Sequence, residues 1–167
     1  MTRFEIVPER STVWIDGTSS LHPIRATATG LQGWFDLATT TRGLAATPFV
    51  AGEVRIPVES LQSGNPLVDR ETRRRIDAKH HPEIVGTVTE SRRTETGSAR
   101  VGGVIAFRGV EHAVEGPLTV HFDHPEVRIR GEQDFDVRWW QLEPPRVAML
   151  RVHPDIHVRV EIVASAR

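Results

Sequence analysis

The 167-residue chain contains no cysteine. That single absence removes disulfides, thiolate nucleophiles and cysteine-based zinc sites. No stretch approaches the ~20 apolar residues a membrane span requires. The opening residues, MTRFEIVPER, lack the apolar segment of a secretory leader. A cytoplasmic protein without stable membrane insertion is the expectation that follows. An excess of one charge is also missing: 21 basic and 22 acidic residues leave a formal net charge of −1. Such a balance argues against nucleic acid or an anionic membrane as the main partner. No G-x-G-x-x-G or Walker sequence supports a nucleotide cofactor, and no G-x-S-x-G surrounds a serine.

What is present is alternation. From Glu126 to Arg138, Val127, Ile129, Phe135 and Val137 fall on odd positions, whereas Arg128, Arg130, Glu132, Asp134 and Asp136 fall on even ones. A period of two places the charges on one face of a strand and the apolar groups on the other. At ~3.3 Å per residue this strand is about 40 Å long, roughly twice the usual length, and Gly131 is the natural place for a bend. Ile156, Val158, Val160 and Ile162 repeat the pattern against His157, Arg159 and Glu161. Further strand-like segments cover residues 3–7, 12–17, 24–29, 31–37, 49–58, 84–94, 100–108 and 114–122. The Thr39–Pro48 stretch, rich in threonine and small residues, reads as a surface loop.

One segment breaks the rhythm. Asn65 followed by Pro66 suits a helix N-cap and first position, and Val68, Thr72 and Ile76 recur at helical spacing. A short helix over about residues 66–77 is therefore expected between strands, with Trp139–Pro145 as another turn. No linker divides the chain, so residues 1–167 form one all-β antiparallel domain. A barrel or a sandwich accommodates it, and closure into a barrel removes aggregation-prone edges.

The inward stripes comprise Phe35, Val54, Ile56, Ile105, Phe107, Leu118, Val120, Ile129, Phe135, Val158 and Val160. These side chains either fill the barrel or line a lumen for an apolar ligand; periodicity does not decide between the two. A lumen would bind hydrocarbon well. Each buried CH₂ contributes roughly 0.8 kcal/mol, so one isoprene unit contributes on the order of 3 kcal/mol before association costs.

Other chemistry finds little support. His153 and His157 have a helical ligand spacing, but on a strand four residues span about 13 Å, too far to share a zinc. His121, Asp123 and His124 bracket a turn, and the adjacent His80 and His81 point apart if extended. Neither set has a metal-site spacing, so no metal is expected. Ser19 and Ser20 near His22 are the only suggestive nucleophile cluster, and no catalytic residue is assigned. Arg73, Arg74 and Arg75 suit an anion or lipid phosphate, or else a solvated face balanced by Asp69, Glu71 and Asp77. Trp139 and Trp140 face apart if extended; the outward ring, with Trp14 or Trp34, suits a dimer interface or a membrane-touching rim.

Four ordered segments together resemble the YceI-like family. They are Ser20-Leu21-His22 with Gly30 and Gly33; Ser60-Leu61 and Ser63-Gly64-Asn65-Pro66-Leu67 with Asp69-Arg70 and His81-Pro82-Glu83-Ile84; Arg108-Gly109-Val110 with Val114, Gly116 and Leu118; and Pro144-Pro145 with Met149-Leu150-Arg151-Val152. The resemblance implies an extended, lipocalin-like antiparallel β-barrel, often homodimeric, whose lumen takes a long polyisoprenoid such as an isoprenoid quinone or polyprenyl phosphate. It implies no catalytic motif. Ala78-Lys79-His80-His81 departs from the aromatic pair frequent in relatives, which bears on one tunnel wall. The expected function is non-enzymatic lipid binding, storage or transport, with no cofactor beyond the lipid. The alternatives are an enzyme using His22, His121 or His124 at the barrel mouth, and a stress-related protein with a filled core.

Overall fold

A computed structural model describes residues 1–166. Eleven strands form in the order β1 (Thr2–Ile6), β2 (Thr12–Ser19), β3 (Ile24–Thr29), β4 (Gln32–Thr40), β5 (Gly43–Pro57), β6 (Glu83–Glu95), β7 (Ser98–Phe107), β8 (Val110–Asp123), β9 (Glu126–Asp136), β10 (Arg146–Val147) and β11 (Leu150–Ala166). Helix α1 (Pro66–Ile76) lies between β5 and β6, and 3-10 turns occur at Pro8–Arg10, Val58–Ser60 and Val137–Trp140. The main sheet runs β1-β4-β5-β6-β7-β8-β9-β11-β2-β3, with β1 also paired to β11. That extra pairing closes the sheet into an antiparallel barrel. The free side of β3 is tied down as well: Thr27 and Gln62 exchange backbone hydrogen bonds of 2.9 and 3.0 Å. Thr29 N also donates to Ser60 Oγ at 3.1 Å, so this edge is held at two points rather than left wholly open.

Alternation sends one set of side chains inward. At one end these are large and close-packed: Phe4, Leu37, Leu44, Phe49, Val120, Val127 and Ile129 are all buried. Phe35 and Phe49 meet edge-on, with ring centroids 5.9 Å apart. At the other end α1 lies across the barrel as a roof. Asn65 Oδ1 accepts from the backbone N–H groups of Leu67 and Val68 at 3.1 and 3.2 Å, and Pro66 takes the first helical position, where its missing N–H costs nothing. Among the described residues, no helix is long and apolar enough to cross a membrane.

Several expectations need correction. Thr39–Pro48 is not a surface loop: β4 and β5 continue through it as a hairpin, Thr40 pairing with Gly43 and Thr39 with Leu44. Register shifts on either side of Leu37 hid the alternation. Trp139 and Trp140 are not extended but sit in a 3-10 turn, because β9 ends at Asp136, whose carboxylate caps that turn by accepting from Arg138 N–H at 2.9 Å. His80 does not belong to an extended segment either; it lies in the turn that follows the helix, and its Nδ1 is 2.8 Å from Asp77 Oδ1.

Candidate functional site

The feature that organises the interior is inward-facing apolar side chains that remain accessible. Val54, Ile56, Ile84, Val101, Val158 and Val160 all pack against the core, yet each is only partly buried. The surface they retain borders two neighbouring apolar compartments of the barrel. The mid-barrel compartment has a volume of about 270 Å³. The compartment beneath α1 has about 230 Å³. Val13, Ile56, Ile84, Ile105, Phe135 and Val158 border both, so the two adjoin across a shared wall. Jointly they fall within the ~300–1,000 Å³ typical of small-ligand pockets.

Glycine keeps the space open. A Cβ built on Gly86 meets no atom within 4 Å, and Gly86 sits between Val54 and Ile105 in the register, on the inward face. A side chain there would occupy the lumen. The roof is apolar too: Val68, Thr72 and Ile76, the stripe read from the sequence, face the compartment below the helix. Trp140 closes the roof beside them, its Nε1–H donating to Ile105 O at 2.8 Å.

Arg108 and Gly109 form the β7–β8 turn, both with positive φ (55° and 75°), as a tight hairpin twist demands. Rather than facing solvent across a strand, Arg108 reaches back from this turn. Its Nε donates to Arg75 O at 3.0 Å and its Nη1 to Gln141 O at 2.6 Å. One guanidinium therefore joins the hairpin, the end of the helix and the 3-10 turn around the roof.

Of the candidate lumen residues, Phe35, Val54, Ile56, Ile105, Leu118, Phe135, Val158 and Val160 border the mid-barrel compartment, and Phe107 borders the one beneath α1. Val120 and Ile129 face inward but border neither; they are 6% and 1% exposed within the close-packed end. Gly86, Ile84 and the inward-facing Gln133 belong to the wall and were not among the lumen candidates read from the sequence. A glycine has no side chain for periodicity to register, and Gln133 interrupts an apolar register.

The polar candidates take structural positions. Ser19 Oγ accepts from His22 N at 3.0 Å within the β2–β3 turn, and His22 Nδ1 lies 2.8 Å from Pro23 O. Ser20 Oγ donates to Met149 O at 2.8 Å. His153 Nδ1 is 2.8 Å from Thr18 Oγ1. His121 and His124 are exposed. No group of three or more metal-ligating side chains is assembled among the described residues. Arg74 and Arg75 pair with Glu71, whose carboxyl their hydrogen bonds pull down to about 2, and Arg73 Nη2 donates to Leu61 O at 3.0 Å. On the outer wall His157 contacts Asp134 at 2.6 Å and Glu132 at 3.0 Å, and hydrogen bonds to these two carboxylates raise its pKa. Trp34 and Trp14 lie under Arg3 and Arg159, at 4.1 and 5.3 Å.

The model of the YceI-like domain matches residues 4–164. The chain belongs to the YceI-like family. Its barrel is similar to that of Burkholderia cenocepacia BcnA (TM-score 0.76, 14% identity, covering 93% of this chain and 96% of that one). A polyisoprenoid binding domain from Saccharophagus degradans superposes with a TM-score of 0.76 at 12% identity, covering 100% of both chains. The Campylobacter jejuni YCEI protein gives a TM-score of 0.68 at 11% identity, over 85% of this chain and 84% of that one. At such identities the likeness is one of fold. In a comparison with curated proteins nothing matches.

Proposed function

We propose that this YceI-like protein binds an elongated apolar lipid of the polyisoprenoid class in its lumen, as a carrier or store rather than as an enzyme. The observation that carries this reading is the set of inward valines and isoleucines that stay accessible around an unfilled apolar space. Each CH₂ moved from water into that space contributes roughly 0.8 kcal/mol. Several isoprene units therefore outweigh the association cost without a strong polar anchor. The similarly folded Saccharophagus degradans domain is a polyisoprenoid binding domain, which supports the same ligand class.

The histidines offered for catalysis, His22, His121 and His124, border neither compartment, which disfavours the enzyme alternative. Homodimerisation is part of the proposal on the strength of the family resemblance, and light scattering on the purified protein checks it.

Mass spectrometry of organic extracts from native protein tests the ligand. A co-purifying isoprenoid, or saturable binding of an added polyprenol, is the expected result. Extracts free of hydrocarbon, together with no binding of added polyprenol, overturn the proposal.

A further inference from the structure

The barrel wall has a gap. Strands β8 and β9 pair only from Leu118↔Gly131 to Asp123↔Glu126. Beyond that point, residues 110–117 of β8 pair with β7 alone and residues 132–136 of β9 with β11 alone. Pro117, with no N–H to give to a ladder, stands where the two part. On the β9 side, a Cβ at Gly131 would be 2.4 Å from Leu118 Cδ2. The far end of the slit is shut by stacked rings: His112 on Trp139 at 5.2 Å, with Phe135 6.0 Å from Trp140.

Gln133 spans this slit. It pairs with Val158 on the inward face of β9, and a Cβ built on Gly116 across the gap would stand 2.0 Å from Gln133 Oε1. The carboxamide thus points its oxygen at a glycine that leaves room for it. It makes no hydrogen bond within the protein. Gln133 is the one inward-pointing polar side chain among the described residues that border the mid-barrel compartment. Its amide atoms are not sealed from solvent, so water can satisfy them in the empty protein and a ligand oxygen can take that water's place.

The surroundings define what it accepts. No arginine or lysine borders this compartment, and the two carboxylates beside the slit, Glu115 and Glu132, lie on the outward register and are paired with Arg100 and His157. A carboxamide supplies one acceptor oxygen and an NH₂ donor, with no net charge. That chemistry matches a hydroxyl or carbonyl oxygen and disfavours a phosphate, for which the lining of this compartment offers no cation. Building on the lipid-binding function above, we propose that Gln133 is a polar subsite at the β8–β9 slit that holds the neutral, oxygen-bearing head of a polyisoprenoid whose tail lies along the lumen.

The test uses three probes of the same hydrocarbon character: geranylgeraniol, geranylgeranyl phosphate and squalene, which has no head. Affinities are measured for the native protein, Gln133→Met and Gly116→Ala. The second variant displaces the carboxamide without removing it and serves if the first does not fold. The native protein should prefer the alcohol to the phosphate. Either variant should weaken the alcohol by about tenfold while leaving squalene within about twofold. Unchanged alcohol affinity in both variants, or a phosphate that binds as tightly as the alcohol, overturns the subsite and leaves the lipid-binding function standing. Failure of all three probes to bind the native protein overturns both.

Discussion

The two ends of one barrel are built from the same alternating strands and end differently. Where Phe4, Leu37, Leu44, Phe49 and Ile129 point inward, the interior is filled and dry. Where Val54, Gly86, Ile105, Gly116 and Val158 point inward, the same wall encloses space. Alternation decides direction; side-chain volume along the inward register decides whether direction produces a core or a cavity. The contrast implies a division of labour, in which the filled end supplies stability and the lined end supplies binding.

The largest expected effect breaks the filled end. Phe49 is 1% exposed and meets Phe35 edge-on. Phe49→Ala should therefore cost about 3–5 kcal/mol in urea unfolding, while lipid affinity in the variant that remains folded stays close to native. Gly86→Phe should do the reverse. Its ring enters unoccupied lumen, so polyprenol affinity falls at least tenfold, ~1.4 kcal/mol, with no loss of Tm. Ligand binding and thermal melts on the same preparation separate the two outcomes.

Smaller effects sharpen the boundary. Trp140→Phe removes the indole hydrogen bond to Ile105 O at the roof, a loss of about 1 kcal/mol measurable by denaturation. Val158→Ala enlarges a space that already exists instead of opening a new one. It should cost only about 1 kcal/mol, well below the Phe49 variant. The smallest effect lies on the outer wall. His157 has a raised pKa, so its ion pairs with Asp134 and Glu132 stabilise the fold fully below the ordinary imidazole value of ~6.5 and fade as pH rises through the higher folded-state value. His157→Gln should flatten the dependence of Tm on pH over that window and leave the lumen's affinity untouched.

Much of the architecture was legible in the residues. The 66–77 helix, its Asn65 cap and its Val68–Thr72–Ile76 stripe were readable because capping and helical spacing are local. Most strands were readable for the same reason, and the Arg108-Gly109-Val110 segment contributed to the family resemblance. The Thr39–Pro48 hairpin was not, because register shifts break the period there. Arg108 looked like an exposed strand residue since its acceptors, Arg75 O and Gln141 O, lie about 33 positions away in the chain. Gln133 did leave a signal: a polar residue on the odd positions shared by Ile129 and Phe135. Its meaning depended on where β8 leaves β9.

The sequence by itself determined which side of each strand is apolar, where the helix begins, and that no thiol or nucleotide motif is available. These are properties of neighbouring residues, and a two-residue period is enough to express them. Only the tertiary structure decided that the inward groups of Val54, Gly86, Ile105 and Val158 leave a space between them, while Phe49 and Ile129 do not. Filling is a sum over side chains brought together from strands far apart in the chain, and close packing is settled across the barrel rather than along any one strand.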